Sequence, residues 1–232
     1  MPRPCTLVDL GRMPYAEALV IQQHIADDLK QGNTEDHLLF VEHPHVLTIG
    51  RNGHDENILA PASLLAGAGI ELHSSDRGGD VTYHGPGQIV GYPILDLRNW
   101  KRDVGAYARA IEQILIDTLE EFGIEAKRIP KLTGVWVDVG GEPAKIAALG
   151  IHLSRWVSTH GWALNVSTDL RCFDYIVPCG LRKPVTSMER LGVRADAEHV
   201  KEALARHFAR IFDFELRAAR HNAEPVLTGD FA

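Results

Sequence analysis

The chain has 232 residues, of which 45% are apolar and 24% charged. That is enough to bury a core without a metal or disulfide staple, and it excludes disordered, collagen-like and coiled-coil compositions. With 24 Lys and Arg against 31 Asp and Glu the net charge is -7, the wrong sign for a general nucleic-acid binder. Cys5, Cys172 and Cys179 are odd in number and fit reduced thiols better than a disulfide framework. Residues 1–12 lack the apolar core of a signal peptide, and no stretch reaches the roughly 20 apolar residues of a membrane span. A cytoplasmic protein with neither membrane nor nucleic acid as partner is expected.

In chain order, the first helix is predicted over residues 14–31, with Pro14 at its start, Tyr15, Ala18, Leu19, Gln22, Ile25, Ala26 and Leu29 on one face, and Gly32 as its stop. Strands follow at 37–43 and 46–51, joined tightly by Pro44 and His45, and at 88–97 after a Gly/Pro turn. A second helix is predicted over 104–122, ending at Gly123. GVWVDV (134–139), Gly140-Gly141 and AKIAALGIHL (144–153) read as a hairpin, and HGWALNVS (160–167) as a third strand beside it. A last helix, over 197–213, has Asp196 in the N-cap position. No linker or repeat interrupts residues 1–232, so a single domain is expected. Strands and helices do not alternate strictly, which predicts an α+β fold with a mixed, largely antiparallel sheet rather than a doubly wound one.

Three segments carry candidate chemistry. RGGDVTYHGPGQIVGYP (77–93) interleaves Arg77, Thr82, Tyr83, His84 and Gln88 with glycines that allow close backbone approach, yet it is not a P-loop; on glycine content alone a plain β-turn is the better reading. In FDYIVPCGL (173–181), Cys179 stands between Pro178 and Gly180. Pro178 fixes φ and Gly180 frees the next N–H, which suits a presented nucleophile with oxyanion donors. A small buried thiol is the commoner fate, and Cys172 fits it well. Lys145 opens an apolar strand. It either points to solvent or, in a pocket, lowers a neighbouring thiol's pKa or acts as a base. His43 and His45 form an H-x-H without an identifiable third ligand, so no metal site is expected. His160 stands before a strand and either lines a pocket or bonds the backbone. Around Cys179, Arg171, Arg182, Lys183, Arg190 and Arg194 outnumber Asp174 and Glu189, a basic region in an acidic chain that is either a solvated surface or a docking patch for an acidic partner.

Taken together and in order, VEHPHVLTIGR (41–51), the 77–93 segment, KIAALGI (145–151), HGWALNV (160–166) and FDYIVPCGL resemble the lipoyl(octanoyl) transferase family. The resemblance covers Leu38 to Leu191. It implies transfer of octanoyl from acyl carrier protein to a cysteine, as a thioester, and then to a lysine of a lipoyl domain. The implied acceptors are the E2 subunits of 2-oxoacid dehydrogenases and the glycine cleavage H protein. Cys179 matches the acylated cysteine and Lys145 its partner. Substrate contacts are implied at Arg77, Gly78, Gly79, Asp80, Val81, Thr82, Tyr83 and His84, at Ala148, Leu149 and Gly150, and at Gly161, Trp162 and Ala163. The implied fold is that of lipoate and biotin protein ligases. No cofactor is implied beyond the acyl carrier protein thioester, and a monomer is expected. Rival readings are an ATP-dependent lipoate ligase, which would not need Cys179, an amidotransferase between lipoyl domains, a protein that only binds the carrier or lipoyl domain, and more distantly a metal hydrolase built on His43, His45 and His84.

Overall fold

The computed structural model describes residues 1–177 and 183–220. The chain enters through β1 (Arg3–Arg12) and then α1 (Tyr15–Gln31). It continues through β2 (Asp36–Glu42), β3 (Val46–Ile49), α2 (Ala62–Gly67), β4 (Glu71–Ser74), β5 (Val81–His84) and β6 (Gln88–Ile94). Next come α3 (Val104–Glu121), β7 (Ala126–Ile129), β8 (Leu132–Val139), β9 (Glu142–Ser154) and β10 (Val157–Asn165), and last α4 (Ala197–Phe212) and β11 (Phe214–Arg220).

Eight strands form one sheet in the order β11-β1-β2-β6-β10-β9-β8-β7. Strand β1 runs parallel to β11 and β2, and every other neighbouring pair is antiparallel. A second sheet of three strands has β3 at its centre, parallel to β4 and antiparallel to β5. The expected mixed, largely antiparallel α+β architecture is what the chain adopts.

Strand β2 shows why its apolar run is unbroken. Leu38 and Phe40 join the core under α3 and α4, while Leu39 and Val41 join the core under α1. A strand buried on both faces has no polar side to alternate with. Helix α1 meets the sheet through Ala18, Ala26 and Leu29, α3 through Tyr107, Ile111, Ile114 and Leu115, and α4 through Val200, Leu204, Phe208 and Phe212. A third core, with Leu47, Leu65, Val81, Tyr83, Phe173 and Ile176, fills the space behind the small sheet.

The β8–β9 hairpin turns on Gly140 and Gly141, both left-handed at φ 61° and 89°, as a two-residue turn of this hand requires. Several local expectations need correction. Asp196 precedes α4 but its side chain makes no capping bond, whereas Asp103, not singled out, accepts from Ala106 N at 2.9 Å and caps α3. Pro44 and His45 do not fold β2 onto β3; they carry the chain from the large sheet to the small one. The strand predicted over 88–97 stops at Ile94 because Asp96 accepts from Arg98 N at 3.0 Å and starts a 3-10 turn.

Candidate active site

A narrow cleft lies where the small sheet meets β6, β9 and β10 of the large one. Tyr15 of α1, Arg77 and Gly79, Thr82 and His84 of β5, Val90 and Tyr92 of β6, Ala148 to Gly150 of β9 and His160 to Ala163 of β10 line it. An inner compartment shares Thr82, Ala148 and Ala163 with this cleft and adds Gln88, Lys145, Asn165, Phe173 and Val185. The two compartments adjoin at Thr82, Ala148 and Ala163, with Tyr15 lining the first and Lys145 the second.

The segment read as a glycine turn is in fact half strand, and its period of two sorts the residues. Thr82 and His84 face the cleft, while Val81 and Tyr83 face the third core, where Tyr83 meets Phe173 edge-on at 5.3 Å. Asp80 is spent on the loop beside it, accepting from His54 N at 3.1 Å, from Asn57 Nδ2 and from Val81 N at 2.8 Å. Gly78 donates to Ile151 O at 2.9 Å and so ties the segment to β9. Arg77 is buried; its Nη2 donates to Thr48 O at 2.6 Å and its Nε to Thr48 Oγ1 at 3.1 Å. Of the eight residues from Arg77 to His84, the structure brings Arg77, Gly79, Thr82 and His84 to the cleft; Gly78, Asp80, Val81 and Tyr83 are not in its lining. Ala148, Leu149, Gly150, Gly161, Trp162 and Ala163 all line it, on paired positions of β9 and β10.

Lys145 is buried at 8% exposure, with Nζ 4.8 Å from the Trp136 ring centroid. Its backbone N donates to Pro184 O at 2.9 Å, and its O accepts from Thr186 N at 2.9 Å. Lys183 to Thr186 thus resume the chain as a short strand-like piece beside β9. On the other side, Val177 donates to Asn57 O at 2.8 Å. Cys179 lies outside the described residues, as does Arg182.

The deep wall is aromatic and polar. His84 stacks on Tyr15 at 6.3 Å and meets His43 edge-on at 5.8 Å. Burial pushes His43 down to about 4 and His84 down to about 3, so both rings are neutral near pH 7. The H-x-H pair is split: His43 bonds Met13 O and Tyr92 Oη, each at 2.8 Å, whereas His45 bonds Tyr83 Oη at 2.7 Å. His160 is a β10 residue at φ 58°, hydrogen-bonded to Asp76 Oδ1 at 2.6 Å, and burial lowers its pKa. Burial raises the pKa of both described thiols, Cys5 and Cys172, which leaves them protonated and unreactive.

Residues 14–209 match the lipoyl protein ligase A/B catalytic domain family. The chain belongs to this family. Within it the relatives are octanoyltransferases: that of Solibacter usitatus is 67% identical over 214 residues, covering 92% of this chain and 96% of the relative. That of Acidobacterium capsulatum is 47% identical over 223 residues, covering 90% and 91%. The chain is thus an acyltransferase of the octanoyltransferase family, as its motifs implied. Among solved structures, the bipartite lipoate protein ligase of Thermoplasma acidophilum aligns with a TM-score of 0.75 at 19% identity, covering 94% of this chain and 87% of that one. The biotin protein ligase of Aquifex aeolicus aligns at 0.55 and 12% identity, covering 89% and 70%. These two likenesses speak for the fold alone, which is the expected ligase-like one. Among the described residues no helix is long and apolar enough to cross a membrane.

Tyr15, Tyr92, Asn165 and Phe173 also line the site, although the sequence marks none of them as a site residue. Tyr15 reads as an ordinary core position of α1. Asn165 stands inside HGWALNV, and an amide that ends an apolar run is the one signal that could have drawn attention to it.

Proposed function

We propose that the chain moves an octanoyl group from acyl carrier protein to a lysine of a lipoyl domain through a thioester on Cys179, as a cytoplasmic, single-domain monomer. The observation that supports this best is the 67% identity to an octanoyltransferase along nearly its whole length. The cleft agrees with it: it is largely apolar and adjoins a compartment lined by a buried lysine. The donor is already a thioester, so exchange onto a cysteine is close to isoenergetic and needs no ATP. A thiolate is then a good leaving group for the incoming amine. The Lys145 ammonium favours the Cys179 thiolate; it gives its proton to the carrier's departing thiolate and, then neutral, takes one from the attacking lysine. Ala148, Gly150 and Ala163 leave room for the acyl chain between β9 and β10, with Trp162 beside them. Arg77, held on Thr48, fixes the part of the cleft wall that it lines. Exposed Lys183, Arg190 and Arg194 offer an acidic carrier a basic approach.

The test is octanoylation of a purified lipoyl domain with octanoyl-acyl carrier protein and no ATP. The unaltered chain is expected to modify the domain and Cys179→Ala to lose this. Modification that demands free octanoate or lipoate plus ATP, and survives Cys179→Ala, would instead make the chain a ligase. A donor that must be another octanoylated lipoyl domain would make it an amidotransferase.

A further inference from the structure

The polar groups behind the cleft form one hydrogen-bond chain whose direction is fixed by backbone carbonyls. Asn165 Nδ2 donates to Thr186 O at 3.0 Å. A carbonyl oxygen only accepts, so the group that Asn165 turns toward Gln88 is its own oxygen. Gln88 Nε2 donates to that Oδ1 at 2.9 Å, and to Tyr83 O, a second carbonyl, at 3.3 Å. The atom of Gln88 that meets His84 Nδ1 at 2.8 Å is therefore Oε1. An acceptor at that place requires Nδ1 to carry the ring proton. All three side chains are buried, with His84 at 6%, Gln88 at 2% and Asn165 at 4% exposure. The His84 ring lines the cleft, and its Nε2 has no hydrogen-bond partner among the described residues.

We propose that Gln88 and Asn165 are positioning residues that hold His84 as the neutral Nδ1–H tautomer, so that the Nε2 lone pair faces the cleft as a fixed acceptor for an N–H of the substrate. This rests on the octanoyl-transfer function above. An octanoyl thioester has no hydrogen-bond donor on its acyl group. N–H groups enter only with the two carriers: an amide on the arm of the acyl carrier protein, or the amine of the target lysine. The ring stays neutral because burial, with His43, Arg77 and His160 nearby, outweighs the opposing bond to Gln88. The same chain ends on Thr186, whose N–H bonds Lys145 O at 2.9 Å. The side chains that orient His84 therefore also fix the backbone that pairs with Lys145.

The experiment is 15N NMR of the full chain with labelled histidine rings, near pH 7, paired with the two half-reactions. In the unaltered chain His84 is expected to show a protonated Nδ1 and an unprotonated Nε2. Gln88→Leu removes the acceptor. The Nε2–H tautomer is then expected to appear and one half-reaction to slow about tenfold, the loss of one hydrogen bond. Slower self-acylation by octanoyl-acyl carrier protein would identify the carrier's amide as the donor. Slower transfer from the acylated chain to a lipoyl domain would identify the amine. Gln88→Met, nearer in shape, takes its place if the leucine variant does not fold. A protonated Nε2 in the unaltered chain overturns the proposal. So does a Gln88 variant with an altered tautomer whose two half-reactions both stay within about twofold. If the unaltered chain takes no octanoyl from the carrier, the transfer function fails while the tautomer result stands separately.

Discussion

Single atoms decide how close the cleft walls come. A Cβ on Gly91 would lie 2.2 Å from Trp162 Cζ2, and one on Gly150 would lie 3.0 Å from both Arg77 Cδ and Gly78 O. The indole is buried at 2% exposure, so Gly91→Ala is expected to cost about 1–3 kcal/mol by overpacking. Urea unfolding measures it, and an unchanged midpoint would contradict the packing described. Buried ionisable groups make a second prediction. His43 at about 4 and His84 at about 3 lie below the ordinary 6.5, so the unfolded chain binds protons that the fold refuses. Stability is then lost as pH falls below 6.5. Asp36 works in the opposite sense. Burial raises it from 3.8 to about 6, so the fold gains as pH falls through that window. Two histidines outweigh one aspartate, for a net loss of roughly 3 kcal/mol between about pH 6.5 and 4.5. Denaturant titrations at those two pH values check it; equal stability would refute it. At Lys145, substitution by Ala is expected to slow alkylation of Cys179 near neutral pH. An unchanged pH profile would leave the lysine only its proton-transfer or structural role. Residue chemistry was unevenly legible in the sequence. The glycine-rich motif pointed to the right place, but which of its side chains face the cleft depends on β5, whose alternation is hidden among glycines.

Elements hold the lysine end in place. Glu112 of α3 is buried and accepts from Gly134 N at 3.0 Å and from Arg128 Nε at 3.0 Å. It thereby ties α3 to the β7–β8 hairpin, next to the Trp136 ring over which Lys145 lies. Glu112→Ala would strand the buried Gly134 N–H, at about 1–3 kcal/mol. Glu112→Gln keeps an acceptor for that N–H and is expected to cost less. Equal losses in thermal melts of the two variants would argue against the bond. The three long helices were legible because each carries a continuous apolar stripe, and α1 and α3 stop at left-handed glycines, Gly32 and Gly123. The β8–β9 hairpin announced itself by its Gly-Gly turn. Edge strands did not: β4 and β7 are short and neither contains a fully buried residue, so no apolar period marks them. Strands β1 and β11 pair with each other in parallel across more than 200 residues of chain, a partnership that local pattern cannot reveal.

At the scale of the whole molecule, the cleft exists because the chain leaves the large sheet after β2, builds the small sheet, and returns in β6. Neither sheet contains the site alone: β5 supplies one wall, β6, β9 and β10 the other. The net charge of -7 discourages a polyanionic partner in general, yet Lys183, Arg190 and Arg194 are exposed on the segment whose Val185 lines the Lys145 compartment. If they receive an acidic carrier, KM for octanoyl-acyl carrier protein should rise with salt as the charges are screened, while kcat holds; a salt-independent KM would remove that role. What tests the proposed chemistry most directly is the intact mass of the chain after brief exposure to octanoyl-acyl carrier protein without a lipoyl domain. One octanoyl adduct is expected on the unaltered chain, released by hydroxylamine and transferred when a lipoyl domain is added, and none on Cys179→Ser. An unmodified chain, or an adduct that persists in Cys179→Ser, would contradict a thioester on Cys179.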